Sequence, residues 1–270
     1  MADAKTIAFI GGGRMAIALA NGFCKAGLTD PSQILVAEPH LEARDRFASQ
    51  LPGSHFTTNH DAAATADVVF LAVKPQQTAK ACSEIRGCLA SDAILVSIVA
   101  GLSMQDLSTL VDTKNVIRVM PNTPCLIGKG VSAMCRSSAV SDTCFQWACD
   151  LMGAVGTVHT IEESLMDAVT GLSGSGPGYI AMIVEALADG GIQSGLPKAL
   201  AMALATETLI ATAFLFEQTR EHPTEIRKRV CSPGGTTLAG LAAMERDGVN
   251  LGIAAGVVAA SHRARELGAT

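Results

Sequence analysis

The chain has 270 residues, room for one large domain or two modest ones and for a sizeable buried core. Hydrophobic residues make up 49% of it and aromatics only 4%, so its core is built from Ala, Leu, Val, Ile and Met, which suits close helix packing better than a β-sandwich. A net charge of −5 and a pI near 5.7 argue against a nucleic-acid surface, while eight scattered cysteines with no C-x-x-C pair argue against a metal site or disulfide scaffold and for reduced thiols in a cytoplasmic protein.

The start, MADAKTIAFIGG, lacks the basic region, apolar run and cleavage site of a secretory signal. Five runs follow that are apolar almost throughout: KTIAFI (5–10), QILVA (33–37), DVVFLAV (67–73), AILVSIV (93–99) and NVIRVM (115–120). Such runs predict strands of a parallel sheet covered on both faces. Helical patterns over 14–26, 41–50, 76–89 and 103–110 lie between them, and the alternation predicts an α/β fold, a doubly wound sheet of Rossmann type. GVSAMCR (130–136) and GTVHTI (156–161) extend it.

After residue 161 the strand signals stop. Helices are expected at 162–171, 178–193, 197–218, 223–230, 236–247 and 249–267, punctuated by Gly and Pro at 171–178, 195–197, 222–223 and 233–235. Two domains follow, a dinucleotide-binding one at 1–161 and an all-α one at 162–270. Residues 199–216 carry a single charge, Glu207, yet fall short of the roughly 20 apolar residues of a membrane span. They are expected to be buried in protein, not lipid. A helical domain of this size has too little volume to bury such a helix and 178–193 completely, so a second subunit should cover the surplus across a two-fold axis.

The first strand runs straight into GGGRMAIALANG. The spacing Gly11-x-Gly13-x-x-Ala16 at a strand-to-helix junction is a dinucleotide fingerprint: Gly11 for the tight turn, Gly13 for close approach of a pyrophosphate, Ala16 for close helix packing. The second strand ends at Ala37-Glu38. An acid there accepts hydrogen bonds from the adenosine ribose and repels a 2′-phosphate, which favours NADH; Arg44, further along, is either a phosphate partner or part of a solvated helix face. The sequence leaves the choice of NADPH or NADH open. Lys74-Pro75 and Pro121-Asn122-Thr123-Pro124 close two further strands at the edge where ligands of such sheets lie.

Two stretches of the helical half offer a surface to a substrate, Gly171–Gly178 (GLSGSGPG) and Ser232–Thr237 (SPGGTT). The second has the form of an anion site. Its glycines leave N–H groups accessible, the helix beginning near 236 points its positive end outward, and Ser232, Thr236 and Thr237 add hydroxyls. The competing explanation is a capped helix start, since Ser and Thr are good caps.

GGGRMAIALANG, LAVKP, VMPNTP, AVTGLSGSGPGY and above all VCSPGGTTLAGLAAME, in order along the whole chain, resemble the pyrroline-5-carboxylate reductases, the last enzymes of proline synthesis. The resemblance implies a Rossmann domain, a helical dimerisation domain, rings of dimers as a further state, active sites that borrow from a partner, and reduction of a cyclic imino acid by NAD(P)H. It implies that Ile10, Gly11, Gly12, Gly13, Arg14, Met15, Asn59, Ala72, Val73, Lys74, Pro75, Ala100 and Gly101 hold the cofactor, beside Glu38 and Asn122. It implies that Ser232, Gly235, Thr236 and Thr237 hold the substrate carboxylate, with Thr237 near the ring nitrogen as the catalytic hydroxyl. The chain departs from the family at Arg14, where Asn or Gln is common, and at Glu38, where a small hydroxyl residue is frequent; both departures bear on cofactor choice. A β-hydroxyacid dehydrogenase would need a lysine after the glycine-rich helix start, and 174–185 contain none. A binding protein that only senses NAD(P) would not need the 232–237 loop.

Overall fold

A computed structural model describes residues 5–268. They fall into two compact units, one formed by residues up to 175 with 259–268 and the other by 176–258.

The first unit is built on an eight-stranded sheet. Its strands are β1 (Ile7–Ile10), β2 (Ile34–Ala37), β3 (His55–Phe56), β4 (Val68–Leu71), β5 (Ile94–Ser97), β6 (Val116–Met120), β7 (Gly130–Arg136) and β8 (Gly156–Thr160). In space they run β3-β2-β1-β4-β5-β6-β7-β8. Every neighbouring pair is parallel except β6 and β7, which are antiparallel. Crossover helices α1 (Arg14–Lys25), α2 (Leu41–Gln50), α3 (Asn59–Thr65), α4 (Thr78–Ile85), α5 (Met104–Val111) and α6 (Asp142–Gly153) complete it.

The apolar runs are explained by burial on both faces. Along β1, Ile7 and Phe9 face one core with Phe23, Phe47 and Phe70, where the rings of Phe9 and Phe70 stack with centroids 5.0 Å apart. Ala8 and Ile10 face the other core with Leu71, Ile85 and Leu107. Lys5 lies over the ring of Trp147 on α6, 4.5 Å from its centroid.

Three short elements lead to α8 (Gly176–Gln193): a 3-10 turn at Glu163–Leu165, α7 (Met166–Val169) and a π-helical turn at Thr170–Gly174. The expected break at 171–178 is therefore corrected: the glycine- and proline-rich stretch is helical. Pro177 falls in the first turn of α8, where no backbone N–H is required. Upstream, the wider turn is held by Ser175 N donating to Thr170 O at 2.9 Å, and by the hydroxyls of Thr170, Ser173 and Ser175 donating to carbonyls four or five residues back.

The second unit contains α8, α9 (Lys198–Thr219), α10 (Pro223–Val230), α11 (Thr236–Arg246) and the first half of α12 (Val249–Gly268). α8 and α9 pack through small side chains, Ala188 against Ala201 and Ala205. The Tyr179 hydroxyl donates to Gly256 O at 3.2 Å. α9 has few buried residues in the single chain, Ala201 and Ala205, in line with the expectation that one chain has too little volume to bury it completely. By length and composition alone it is long and apolar enough to cross a membrane.

Candidate active site

Because β1, β2, β4, β5 and β6 are parallel, their carboxyl ends share one edge of the sheet. Gly11, Glu38, Ala72, Ala100 and Asn122 follow those strands there. Gly11 has φ +98°, and a Cβ built on it would stand 2.8 Å from Ala72 O. Glycine is thus required twice, by conformation and by the approach of the β4 turn. Its N–H donates to Ala37 O at 2.8 Å, and Ala72 N donates to Ile10 O at 2.9 Å. Gly13 is the N-cap of α1 with nothing within 4 Å of where a Cβ would lie. The first helical hydrogen bond is Ile17 N to Gly13 O, so the N–H groups of Arg14 and Met15 have no helical partner. Open N–H groups at the start of a 12-residue helix are the chemistry that suits an anion.

A cavity of about 1080 Å³ opens over this helix start, lined by Gly11, Gly13, Arg14, Met15, Glu38, Ala72, Val73 and Lys74 among others. A second, of about 380 Å³, continues past Gly11 and Glu38 to Arg44, Asn59 and Lys80. The Glu38 carboxylate does not stand free in them. One oxygen accepts from Gly12 N at 2.9 Å and the other from His40 N at 3.0 Å, so the acid folds back on the glycine turn. Arg44 stacks over the ring of Phe56, 5.0 Å from its centroid. Asn59 opens α3 and its amide donates to Glu84 at 2.6 Å. Lys80, which sequence reasoning passes over, brings a second cation to this end of the groove. The signal for α3 was present: Thr58 accepts from Asp61 N at 3.1 Å, and a Thr-x-x-Asp spacing before an alanine run marks a helix start.

On the other side of β1, Pro75 begins a short 3-10 turn before α4, and Ala100-Gly101 leads from β5 into α5, with Gly101 at φ +91°. Asn122 is buried and both ends of its amide are engaged: Nδ2 donates to Ser173 O at 3.0 Å and Oδ1 accepts from Val131 N at 2.9 Å. It ties the end of β6 to the π-helical turn and to β7. Nearby, Arg118 is 6% exposed and pairs with Glu163 at 2.7 Å. The same carboxylate oxygen accepts from Met104 N at 2.6 Å, pinning the first turn of α5. Burial pushes the Cys82 and Cys135 thiols up to about 11, so neither supplies a thiolate near neutral pH.

In the second unit, Ser232–Gly235 forms the turn between α10 and α11. The N-cap of α11 is Gly235, and no side chain caps the helix. The capping explanation for the hydroxyls of Ser232, Thr236 and Thr237 is thereby removed. Gly235 N donates to Ser232 O at 2.9 Å, and a Cβ on Gly235 would collide with the Ser232 hydroxyl. Ser232, Thr236 and Thr237 are exposed in the single chain, beside the open N–H groups of an 11-residue helix.

Residues 163–267 match the family model described as pyrroline-5-carboxylate reductase dimerisation, and residues 6–101 match one described as NADP oxidoreductase, coenzyme F420-dependent. Over 262 residues the chain is 41% identical to pyrroline-5-carboxylate reductase of Synechocystis sp., covering 97% of this chain and 98% of that one. The chain belongs to the pyrroline-5-carboxylate reductase family. The Arabidopsis thaliana member is 40% identical over 98% of this chain and 96% of its own. Among solved structures, Plasmodium falciparum pyrroline carboxylate reductase with NADP bound is similar at a TM-score of 0.89 and 28% identity, covering 98% of both chains. The Rossmann-type α/β fold with a helical dimerisation segment stands as expected, and with it a homo-oligomeric oxidoreductase.

Proposed function

We propose that this chain reduces L-1-pyrroline-5-carboxylate to L-proline with NADPH or NADH, the last step of proline biosynthesis. One observation carries the reading: a near-full-length relative of that activity, 41% identical, in a chain where both the glycine turn after β1 and the uncapped turn before α11 are intact.

NAD(P)H, when bound, supplies a hydride, and with one proton the C=N bond of the imine becomes CH–NH. The residues of the first unit do the holding. The open N–H groups of Arg14 and Met15 would take the pyrophosphate, with Gly11, Gly12 and Gly13 leaving it room; Ala72, Val73, Lys74, Pro75, Ala100 and Gly101 would lie along the nicotinamide half; Glu38 and Asn59 would lie toward the adenosine. Asn122 serves by bracing the end of β6. In the second unit, N–H groups and hydroxyls at Ser232, Gly235, Thr236 and Thr237 hold the substrate carboxylate, and Thr237 Oγ1 hydrogen-bonds the ring nitrogen. A protonated imine is already electrophilic, so orientation matters more than a strong acid. In this reading residues 1–161 are the cofactor domain and 162–270 the dimerisation and substrate domain. The assembly is a dimer that associates further into a ring, and it works in the cytoplasm, where its eight free thiols stay reduced.

Purified protein should oxidise NADPH on addition of the imine. Turnover of β-hydroxyacids with none of the imine would overturn the assignment.

A further inference from the structure

α12 serves both units: 249–258 cluster with the helical one and 259–268 with the dinucleotide-binding one. In its second half Ser261 and Ala264 are buried and Leu267 and Gly268 half-buried, a spacing that places them on one helical face. Where this face ends it meets the turn after β5. A Cβ on Gly101 would stand 2.9 Å from Gly268 N and 2.9 Å from Leu267 Cβ, and one on Gly268 would overlap the Gly101 carbonyl oxygen. Two backbones touch here because neither residue carries a side chain. Arg265 reinforces the seat with an ion pair to Asp167 at 3.5 Å.

The position of this contact gives it meaning. β5 lies two strands from β1 on the side away from β2, so its turn serves the half of the dinucleotide opposite the adenosine. A turn held at φ +91° by glycine has conformational freedom to lose when a ligand binds, and a support that removes it beforehand strengthens binding. Glu163 already pins Met104, just past the turn. The end of α12 packs against the turn itself.

We infer that Leu267 and Gly268 are positioning residues, buttressing the Ala100–Gly101 turn so that the nicotinamide half of the cofactor is held in register. The inference rests on the cofactor placement proposed above. It says that a helix shared with the dimerisation segment also tunes dinucleotide affinity.

The test uses the full-length protein, Gly268→Ala, and a chain ending at Glu266, each titrated calorimetrically in the absence of imine. The ligands are NADPH and adenosine 2′,5′-bisphosphate, which has the adenosine half alone. The NADPH Kd should rise about tenfold in both variants while that of the fragment stays within about twofold. Equal weakening of both ligands, or NADPH affinity unchanged, overturns the buttress. If the shortened chain does not fold, Gly268→Ala, with its Tm measured alongside, decides alone. An unaltered protein that fails to bind NADPH at all refutes the cofactor placement itself, and with it the buttress.

Discussion

The two units solve the burial problem in opposite ways. The dinucleotide-binding unit closes two cores on its own sheet, with Phe9, Phe23, Phe47, Phe70, Ile85 and Leu107 fully buried. The helical unit buries little more than Ala188, Ala201, Ala205 and Ile226, and leaves Met182, Leu204, Ile210, Phe214 and Leu251 exposed. Both are rich in apolar residues, so composition does not separate them. The difference lies in geometry: a sheet has two faces that crossover helices of the same chain can cover, whereas a hairpin of long apolar helices has a circumference that needs a second copy. One unit is complete as a monomer fold, and the other is half of one.

The largest test of that contrast attacks the exposed face of α9. Leu204→Glu with Phe214→Lys should leave the sheet unit folded but dissociate the assembly and lower activity about a hundredfold, because an obligate interface has no stable substitute for its partner. Light scattering read beside activity checks it; an active monomer of 27.8 kDa would break the comparison.

Gly11→Ala strikes the self-sufficient unit instead. Conformation and the Ala72 carbonyl both oppose it, so a stability loss of about 1–3 kcal/mol is expected, with the NADPH Kd rising at least about tenfold. Thermal melts and cofactor titration measure the two, and the oligomeric state should not change.

Thr237→Ala removes a hydroxyl from the helical unit while keeping its backbone N–H. Efficiency toward the imine should fall about tenfold, ~1.4 kcal/mol. Unchanged kcat/KM would return the α11 turn to a purely structural part.

The smallest effect concerns Glu38. Its carboxylate is spent on Gly12 N and His40 N, so its charge is partly neutralised where a 2′-phosphate would approach. Glu38→Ser should shift preference toward NADPH by only about threefold, ~0.7 kcal/mol; kcat/KM for both cofactors before and after gives the answer.

The Rossmann half is legible because its signals are local. A run of apolar residues ending in Gly-x-Gly needs no tertiary information to be read as a strand, a turn and a helix start. β3 is missed because it has two residues, and α3 because alanines carry no periodicity. The antiparallel turn of β7 depends on how 121–129 fold back, which no spacing encodes. The stretch 171–178 misleads because Gly and Pro ordinarily interrupt helices, while here serine and threonine hydroxyls add hydrogen bonds to the carbonyls of Met166, Val169 and Thr170 across the wider turn. At the site, residue types are readable and their commitments are not. Glu38 can be named as an acid after β2, but its return to the glycine turn, the closed accounts of Asn122, and the meeting of Gly101 with Gly268 exist only in three dimensions.

The chain carries one tryptophan and one tyrosine. Trp147 lies on α6 of the sheet unit, under Lys5, and Tyr179 on α8 of the helical unit, bonded to Gly256. Each unit therefore contains its own single reporter. Indole emission overlaps the absorption of reduced nicotinamide, so excitation of Trp147 gives an energy-transfer signal from one donor per subunit, free of averaging over several. Phenol absorbance of Tyr179, separated from the overlapping indole band by second-derivative spectroscopy, follows the helices. Spectroscopically, the protein comes already labelled, and the melting of its two halves can be watched in separate channels without altering a residue.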